Sequence, residues 1–304
     1  MNNTTEKEPL LKKPVIIFGT GRSGTTIISD IIFQHQDLAW HSNYQELFPN
    51  IAAVNYLRRL FDNKYWRFIG MNTQNNKSFI NYFCFRPIER YNFWEAITGP
   101  RIDFSRDFLL NQQATPEEKN KMRNFFAKMV AYQKRKRLAF KITGPARMEY
   151  LMSVFPDAVF INVTRDPVAT VRSWLEVSWA DQITDQLWWT GAYDDTELGK
   201  AKEFSSTPAL FAAYQYKKIM DTTEQEIKKM KPEIYTVSYE EFVTDPADTI
   251  SKLLNNIGLG KSKLIDAYMD KISVSDRNSR EAKSEKTNIP DEIKNEILEI
   301  VNSK

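Results

Sequence analysis

The chain has 304 residues, with 42 basic and 39 acidic side chains and a formal net charge of +3. This length suits one large domain or two small ones, and the near balance of charge gives no electrostatic argument for a nucleic-acid partner. The single cysteine, Cys84, excludes an intrachain disulfide and fits a reducing compartment. No apolar run has the pattern of a signal peptide or the length of a membrane span, so we predict a cytoplasmic protein without an integral membrane segment.

The first predicted element follows a polar N-terminal tail over residues 1–12, which we expect to be flexible. Val15-Ile16-Ile17-Phe18 is a short, β-branched apolar run, typical of a buried strand. A glycine-containing loop over 19–24 comes next. A helix is then predicted over 25–34, because its isoleucines fall on one face.

Strands and helices continue to alternate along the rest of the chain. Further strands are predicted at 138–142, 158–163 and 234–237, and further helices at 146–155, 166–177 and 246–257. This alternation predicts an α/β fold, a P-loop-type parallel β-sheet flanked by helices. We see no linker and no internal repeat, so we predict a single domain over 1–304.

Residues 41–137 interrupt the alternation with a long aromatic-rich segment whose strand signals are weak. We predict a mostly helical insertion that caps one end of the sheet and contributes to a substrate pocket. A second aromatic stretch either lines the same pocket or packs in the core. It contains Trp174, Trp179, Trp188, Trp189 and Tyr193.

Gly19 and Gly24 have the Gly-x-x-x-x-Gly spacing of a phosphate-binding loop between a strand and a helix. Glycine lets the backbone amides approach an anion, and the helix adds its positive end. A nucleoside-triphosphate loop would continue with Lys and then Ser or Thr, whereas this chain has Thr25 and Thr26. The cation lies inside the loop instead, at Arg22, which favours a phosphate-like donor other than a triphosphate.

A second motif follows the strand predicted at 158–163. The end of that strand brings Arg165 to the carboxyl edge of the sheet, where doubly wound proteins bind ligands. A helix from Asp166 would turn Ser173 to the same side, about two turns further on. Arg165 and Ser173 together suit a second phosphate group.

These motifs resemble those of the sulfotransferase superfamily, in its soluble bacterial form. Pro14–Thr26 resembles the family's 5′-phosphosulfate loop, and Phe155 through Arg165 to Trp174 resembles its 3′-phosphate motif. A third match runs from Val237 to Pro246. The resemblance implies sulfonate transfer from 3′-phosphoadenosine-5′-phosphosulfate to an acceptor hydroxyl, with 3′,5′-adenosine diphosphate as the product.

The resemblance also implies which residues bind the donor. The 5′-phosphosulfate would be held by the loop and the start of its helix, that is by Gly21, Arg22, Ser23, Gly24, Thr25 and Thr26. The 3′-phosphate would be held by Arg165 and Ser173, with Tyr239 near the adenine. Ser275, Arg277 and Lys283 correspond to a segment that closes over the nucleotide in the family.

For catalysis, the resemblance implies that Arg22 and Lys141 contact the transferring group, and that no metal is required. The general base is less defined, because Thr143 stands where some relatives have a histidine. His41 is favoured over Glu46, and Glu89 is the third candidate.

The aromatic residues favour a steroid-like or lipid-like alcohol, or a sugar ring, as the small-molecule acceptor. Two other functions stay open from sequence. A P-loop kinase of small molecules would need the missing lysine and Mg²⁺. A non-catalytic adenylate-binding module would keep Arg165 and Ser173 but need neither Arg22 nor Lys141. The oligomeric state is not predicted.

Overall fold

The computed structural model describes residues 9–69, 83–176, 186–274, 276, 278 and 289–303. Several predictions fall outside these ranges. They concern Ser275, Arg277, Lys283, Trp179 and the first eight residues of the predicted tail.

Five parallel strands form one sheet, in the order β2-β3-β1-β4-β5. The strands are β1 (Val15–Gly19), β2 (Leu38–Ala39), β3 (Arg137–Thr143), β4 (Val159–Thr164) and β5 (Glu233–Ser238). β1 is the central strand, and every one of its residues is buried, as expected for a strand covered on both faces. The predicted parallel sheet flanked by helices is confirmed.

Helices follow the strands and cover both faces of the sheet. In chain order they are α1 (Thr25–Ile32), α2 (Asn43–Leu47), α3 (Arg58–Phe61), α4 (Asn92–Thr98), α5 (Pro116–Tyr132), α6 (Met148–Val154), α7 (Pro167–Leu175), α8 (Asp195–Phe204), α9 (Pro208–Met230), α10 (Tyr239–Thr244), α11 (Pro246–Asn256), α12 (Lys263–Met269) and α13 (Asp291–Asn302). Two 3-10 helices, Pro9–Leu11 and Ala52–Leu57, complete the described helical elements.

The side chains of β1 pack into two separate hydrophobic cores, because neighbouring side chains on a strand point to opposite faces of the sheet. Ile16 and Phe18 pack in the core on one face, where the Phe18 and Phe160 rings meet edge to face at 6.1 Å. Ile17 packs in the core on the other face, against the isoleucines of α1. A third core around Trp174 joins α7, α9 and α13.

The strand order determines where a ligand can bind. β1 lies between β3 and β4, so the chain leaves it toward one side of the sheet first and toward the other side later. In such sheets the crevice at the carboxyl ends of the central strands is the ligand site. The carboxyl ends of β1, β3 and β4 carry Gly19, Thr143 and Thr164.

The N-terminal prediction was wrong in part. Leu11 is 2% exposed and packs in the first core, and Pro9–Leu11 forms a 3-10 helix, so the tail predicted over 1–12 does not extend through these residues. Burial removes the apolar surface of the Leu11 side chain from water, and this gain opposes the entropy lost when the chain is ordered.

The segment predicted as a cap is helical over much of its described part, which includes α2, α3, α4 and α5. It ends one residue earlier than predicted, because Arg137 already pairs with Leu38 in the sheet. Within the described residues, no helix combines the length and hydropathy needed to cross a bilayer.

Candidate functional site

The glycine loop connects β1 to α1 at the centre of the sheet edge, and two glycines fix its path. A Cβ on Gly19 would lie 2.2 Å from the Val163 carbonyl oxygen, so only glycine fits beside β4. Gly24 has a φ of 94°, and a Cβ there would lie 2.5 Å from the Tyr239 ring. The predicted Gly-x-x-x-x-Gly spacing thus corresponds to two positions of close backbone packing.

The inner side of the loop is held by buried side chains. Ser23 is fully buried and its hydroxyl donates to the Thr20 carbonyl at 2.7 Å. The Trp174 indole N–H donates to the Gly21 carbonyl at 2.6 Å. Thr25 is also buried, whereas Thr26 is exposed. Among the predicted donor-binding hydroxyls of the loop, that of Thr26 therefore lies on the outer side.

The start of α1 is suited to an anion. Its N-cap residue is Gly24, which offers no side-chain hydrogen bond to the helix. The first amides of an α-helix have no intrahelical acceptor, and they carry the positive end of the helix dipole. The backbone N–H groups that follow Gly24 can therefore donate hydrogen bonds to an anion at this edge of the sheet.

One side of the loop joins residues from both predicted phosphate motifs. The Arg22 Nε donates to the Ser173 hydroxyl at 3.0 Å, and Arg22 takes a left-handed φ of 71°. The Arg165 guanidinium donates to the Arg22 carbonyl at 2.9 Å. Arg165 is 5% exposed and Ser173 is fully buried, so this cluster is preorganised by the fold.

Two residues support Arg165, one from the start of α10 and one from the C-terminal region. The guanidinium lies 4.9 Å from the centre of the Tyr239 ring, and its Nε donates to the Asn278 side chain at 2.7 Å. Asn278 in turn donates to Glu240. Sequence reasoning missed Asn278, although it named the neighbouring segment. The adjacent Arg277 lies outside the described residues.

The other side of the loop carries Lys141, two residues before the end of β3. Its ammonium donates to the Thr26 hydroxyl at 3.0 Å and lies 3.1 Å from the Glu89 carboxylate. Glu89 also accepts from the Thr143 amide at 2.7 Å and from the Thr143 hydroxyl. The third base candidate from sequence is thus the one that lies beside Lys141.

A second carboxyl near Lys141 was missed by the sequence analysis. Asp30 follows Thr26 by one turn of α1 and is half-buried. Burial raises the pKa of Asp30 to about 7, although the charges of Lys141 and Arg86 oppose the rise. A one-turn spacing from Thr26 is the signal that would have found it.

His41 and Glu46 form a separate buried pair. The His41 Nε2 lies 3.4 Å from the Glu46 carboxylate but makes no well-aligned hydrogen bond with the described residues, so we treat the pair as an electrostatic contact. Glu46 accepts from the Asn92 and Phe93 amides, at the start of α4.

The surroundings of this pair lie at the start of α4. Burial raises the pKa of Glu46, but the contact with His41 and the hydrogen bonds from the Asn92 and Phe93 amides outweigh it, and the net pKa is lowered. The His41 ring stacks on Phe93 at 4.6 Å. The described contacts connect neither residue to Lys141 or the loop.

The second aromatic stretch belongs mainly to the core. Trp174 is fully buried, 5.7 Å from Trp189 and 6.2 Å from Tyr216 between ring centres. The alternative in which these rings pack in the core therefore applies to Trp174 and Trp189, which is 5% exposed.

A glycine loop at the centre of a parallel sheet, with cations on both sides, defines a class of proteins that bind phosphate-like groups. Within that class the chain belongs to the sulfotransferase family, because the model of the Sulfotransferase family matches residues 14–262. The match includes the loop, Lys141, Arg165 and Tyr239.

Solved structures agree with this assignment at the level of fold. Sulfotransferase STF1 from Mycobacterium tuberculosis H37Rv has a TM-score of 0.56 and 16% identity, over 99% of this chain and 80% of that one. Sulfotransferase STF9 from Mycobacterium avium has a TM-score of 0.53 and 16% identity, over 88% of this chain and 70% of that one. No curated protein matches the chain.

Proposed function

We propose that this protein transfers a sulfonate group from 3′-phosphoadenosine-5′-phosphosulfate to an acceptor hydroxyl and releases 3′,5′-adenosine diphosphate. The observation that carries the proposal is the division of cations around one glycine loop. Arg22 and Arg165 lie with Ser173 on one side, and Lys141 lies with Thr26 on the other. Two anionic groups of one donor would find cations on both sides.

The residues present fit such a donor. The uncapped first turn of α1 supplies amides for one anionic group. Arg165, held by Asn278 and the Tyr239 ring, supplies a buried cation for the other. When bound, the donor supplies an activated sulfonate and a phosphate leaving group.

Lys141 is the residue we propose for stabilising the charge that develops during transfer. It is 9% exposed at the side chain and fixed by Thr26 and Glu89, so its ammonium needs little reorganisation. A preorganised cation in a site that excludes water gives the largest electrostatic benefit.

Glu89 is the residue we propose as general base. One of its oxygens is held by the amide and hydroxyl of Thr143, and the other faces Lys141. The carboxylate is therefore oriented beside the proposed transfer path, as proton transfer requires. His41 and Glu46 are less suited, since the Glu46 oxygens serve the start of α4.

The remaining parts of the proposal concern the acceptor and the cell. We propose a small-molecule alcohol, steroid-like or lipid-like, or a sugar, bound under the aromatic cap. We also propose that the chain works as one domain in the cytoplasm.

The test is an acceptor screen with the sulfonate donor, read by mass spectrometry. Steroid, lipid and sugar alcohols are each incubated with the full chain and with Lys141→Ala. We expect a product heavier by one sulfonate group with the unmodified chain and a much lower yield with the variant. A phosphorylated product formed from ATP and Mg²⁺, with no sulfonated product, would overturn the proposal in favour of a kinase.

A further inference from the structure

Exposed apolar side chains are concentrated on the cap. Of the ten large apolar side chains that are exposed in the described part of the chain, eight lie on the cap, and Leu47, Leu60 and Tyr65 are 67%, 69% and 70% exposed. We call this set the cap face; it consists of Leu47, Phe48, Ile51, Tyr56, Leu60, Tyr65, Trp66 and Phe83. Soluble proteins seldom expose this many large apolar side chains along one segment, which makes the segment a candidate interaction surface.

Hydrogen bonds tie the first half of the cap face into one folded unit. The Gln45 side chain donates to the Phe48 and Pro49 carbonyls and accepts from Asn55. Gln45 and Asn55 are both fully buried. The turn that exposes Phe48 is therefore fixed to the 3-10 helix that exposes Tyr56, and the apolar side chains are held outward by a buried polar framework.

Cations accompany the aromatic rings of the cap face. The Arg59 guanidinium lies 4.5 Å from the Tyr56 ring centre, and the Lys64 ammonium lies 4.9 Å from that of Tyr65. Arg59 also donates to the Tyr132 carbonyl at the end of α5, where the basic run 134–137 follows. No acidic residue occurs between positions 119 and 148 of the sequence.

A narrow cleft of about 20 Å³ opens beside α3, next to the cap face. Its wall includes three arginines, Arg58, Arg67 and Arg135, but a single carboxylate, Asp62. The Nε of Arg135 is buried and has no hydrogen-bond partner among the described residues. Asp62 pairs with both Arg67 and Arg135, so one negative charge is shared and an excess of positive charge is left.

The third arginine of the cleft is unusually buried for a charged group. Arg58 lies 4.3 Å from the Trp40 ring centre and donates to the Leu38 carbonyl at 2.7 Å. Burial lowers the pKa of Arg58 well below its usual range, and the charge of Arg135 lowers it further. An anion near the cleft would offset both effects.

We propose that the cap face docks onto an anionic lipid bilayer, with its apolar side chains in the interfacial region and lipid phosphates near the cleft arginines. Leu, Trp and Tyr side chains interspersed with Arg and Lys are the composition that interfacial binding favours. Basic residues near an anionic leaflet add electrostatic attraction to the apolar contact. An acidic protein surface would match the cations but would not need so many exposed aliphatic and aromatic side chains.

The cap face is also connected to the proposed transfer site. The Tyr44 hydroxyl donates to the Phe83 carbonyl at 2.6 Å, and the Arg86 amide donates to Asn43 at 3.1 Å. These contacts fix the stretch 83–89, which exposes Phe83 at one end and carries Glu89 at the other. Docking itself does not depend on sulfonate transfer.

The test is sedimentation of the full chain with vesicles of phosphatidylcholine, alone or mixed with phosphatidylglycerol. We expect sedimentation with the anionic vesicles and weakening as salt is raised. The triple variant Leu47→Ser, Leu60→Ser, Tyr65→Ser should lower the partition coefficient at least about tenfold, because each change removes apolar area from the interface. The matched control, Leu198→Ser with Leu298→Ser, removes the two exposed leucines outside the cap face and should bind like the unmodified chain.

A second variant tests the charge contribution separately. Lys64→Glu with Lys136→Glu changes two exposed cations, and should weaken binding to anionic vesicles while circular dichroism stays unchanged. Absence of sedimentation with either vesicle would overturn the proposal. So would equal binding to neutral vesicles, equal loss in the control, or a lipid-independent dimer that the triple variant abolishes.

Discussion

Lys141 is held between a hydroxyl and a carboxylate, and that position is the residue-scale basis of the proposed chemistry. Its ammonium lies 3.0 Å from Thr26 and 3.1 Å from Glu89. The same carboxylate accepts from Thr143, so one small network fixes the orientation of both charges. Removing either charge would leave the other, which is largely shielded from water, without its partner.

Glu89→Gln should lower kcat by about 10²- to 10⁴-fold, because a glutamine amide cannot take the proton from the substrate hydroxyl. Donor affinity, measured by calorimetry, should stay nearly unchanged. Retention of full turnover would contradict the role of Glu89. Burial raises the pKa of Asp30 to about 7, so the pH–rate profile of Asp30→Asn is a second measurement. If this variant loses an ionisation near pH 7, Asp30 rather than Glu89 is the general base.

Glu46→Gln is the matched control for that experiment, and it should change the stability of the fold rather than turnover. Glu46 binds two amides at the start of α4, so the change should lower the free energy of unfolding by about 1–3 kcal/mol while turnover falls little. Urea unfolding and the sulfonation assay measure the two quantities. A large loss of turnover without a loss of stability would make the His41–Glu46 pair catalytic.

Gly24 tests the shape of the loop. Gly24→Ala should lower the free energy of unfolding by about 1–3 kcal/mol, for two reasons. The backbone φ of 94° is unfavourable for alanine, and the added Cβ would lie 2.5 Å from the Tyr239 ring. Gly199→Ala is the control, since no atom lies within 4 Å of its added Cβ, and it should be neutral or slightly stabilising in α8. Equal unfolding midpoints for the two variants would contradict this view of the loop.

Some site residues were predictable because their signals are local. Gly19, Gly24, Arg165 and Ser173 each belong to a short motif next to an apolar strand. Asn278 and the contact of Glu89 with Lys141 were not predictable in that way. Asn278 lies 113 residues after Arg165, and Lys141 lies 52 residues after Glu89. No local sequence pattern indicates contacts over such separations.

At the scale of elements, the contact between α6 and α9 is controlled by a buried carboxyl. Glu226 of α9 is 4% exposed and accepts from the Glu149 amide at 3.0 Å. Burial raises the pKa of Glu226 to about 7, although that hydrogen bond and the charge of Arg147 oppose the rise. The folded chain therefore keeps a proton that the unfolded chain releases above a pKa of 4.5.

The sign of the pH dependence follows directly. The contribution of Glu226 to stability is complete below pH 4.5 and is lost as the pH rises through about 7. Glu226→Gln should therefore reduce the loss of stability between about pH 5 and pH 8, by up to about 3 kcal/mol. Urea unfolding at both pH values measures it. An unchanged difference between the two pH values would show that Glu226 does not titrate in the folded chain.

Elements differ in how far the sequence predicts them. The strands β1, β3, β4 and β5 each contain a cluster of apolar residues, many of them β-branched or aromatic, and each was predicted to within about two residues. β2 was missed because it has two residues and depends on pairing with β3. α9, the 23-residue helix, was also missed, since its buried positions include polar residues such as Gln215 and Thr222 that weaken the apolar period.

At the scale of the whole molecule, strand order turns distant motifs into one site. β1 separates β3 from β4, so Lys141 and Arg165 reach the glycine loop from opposite sides. This arrangement is what a donor with two separate anionic groups requires. The proposed donor therefore makes a clear prediction about which nucleotides the protein distinguishes.

Isothermal titration calorimetry with 3′,5′-adenosine diphosphate, adenosine 5′-monophosphate and ATP with Mg²⁺ tests the central claim most directly. We predict that the 3′-phosphorylated nucleotide binds most tightly. Arg165→Ala should weaken its binding by about 10- to 100-fold, whereas Arg101→Ala, at an exposed pair with Glu118, should not. Tighter binding of ATP with Mg²⁺, or unchanged binding of 3′,5′-adenosine diphosphate by Arg165→Ala, would contradict the account.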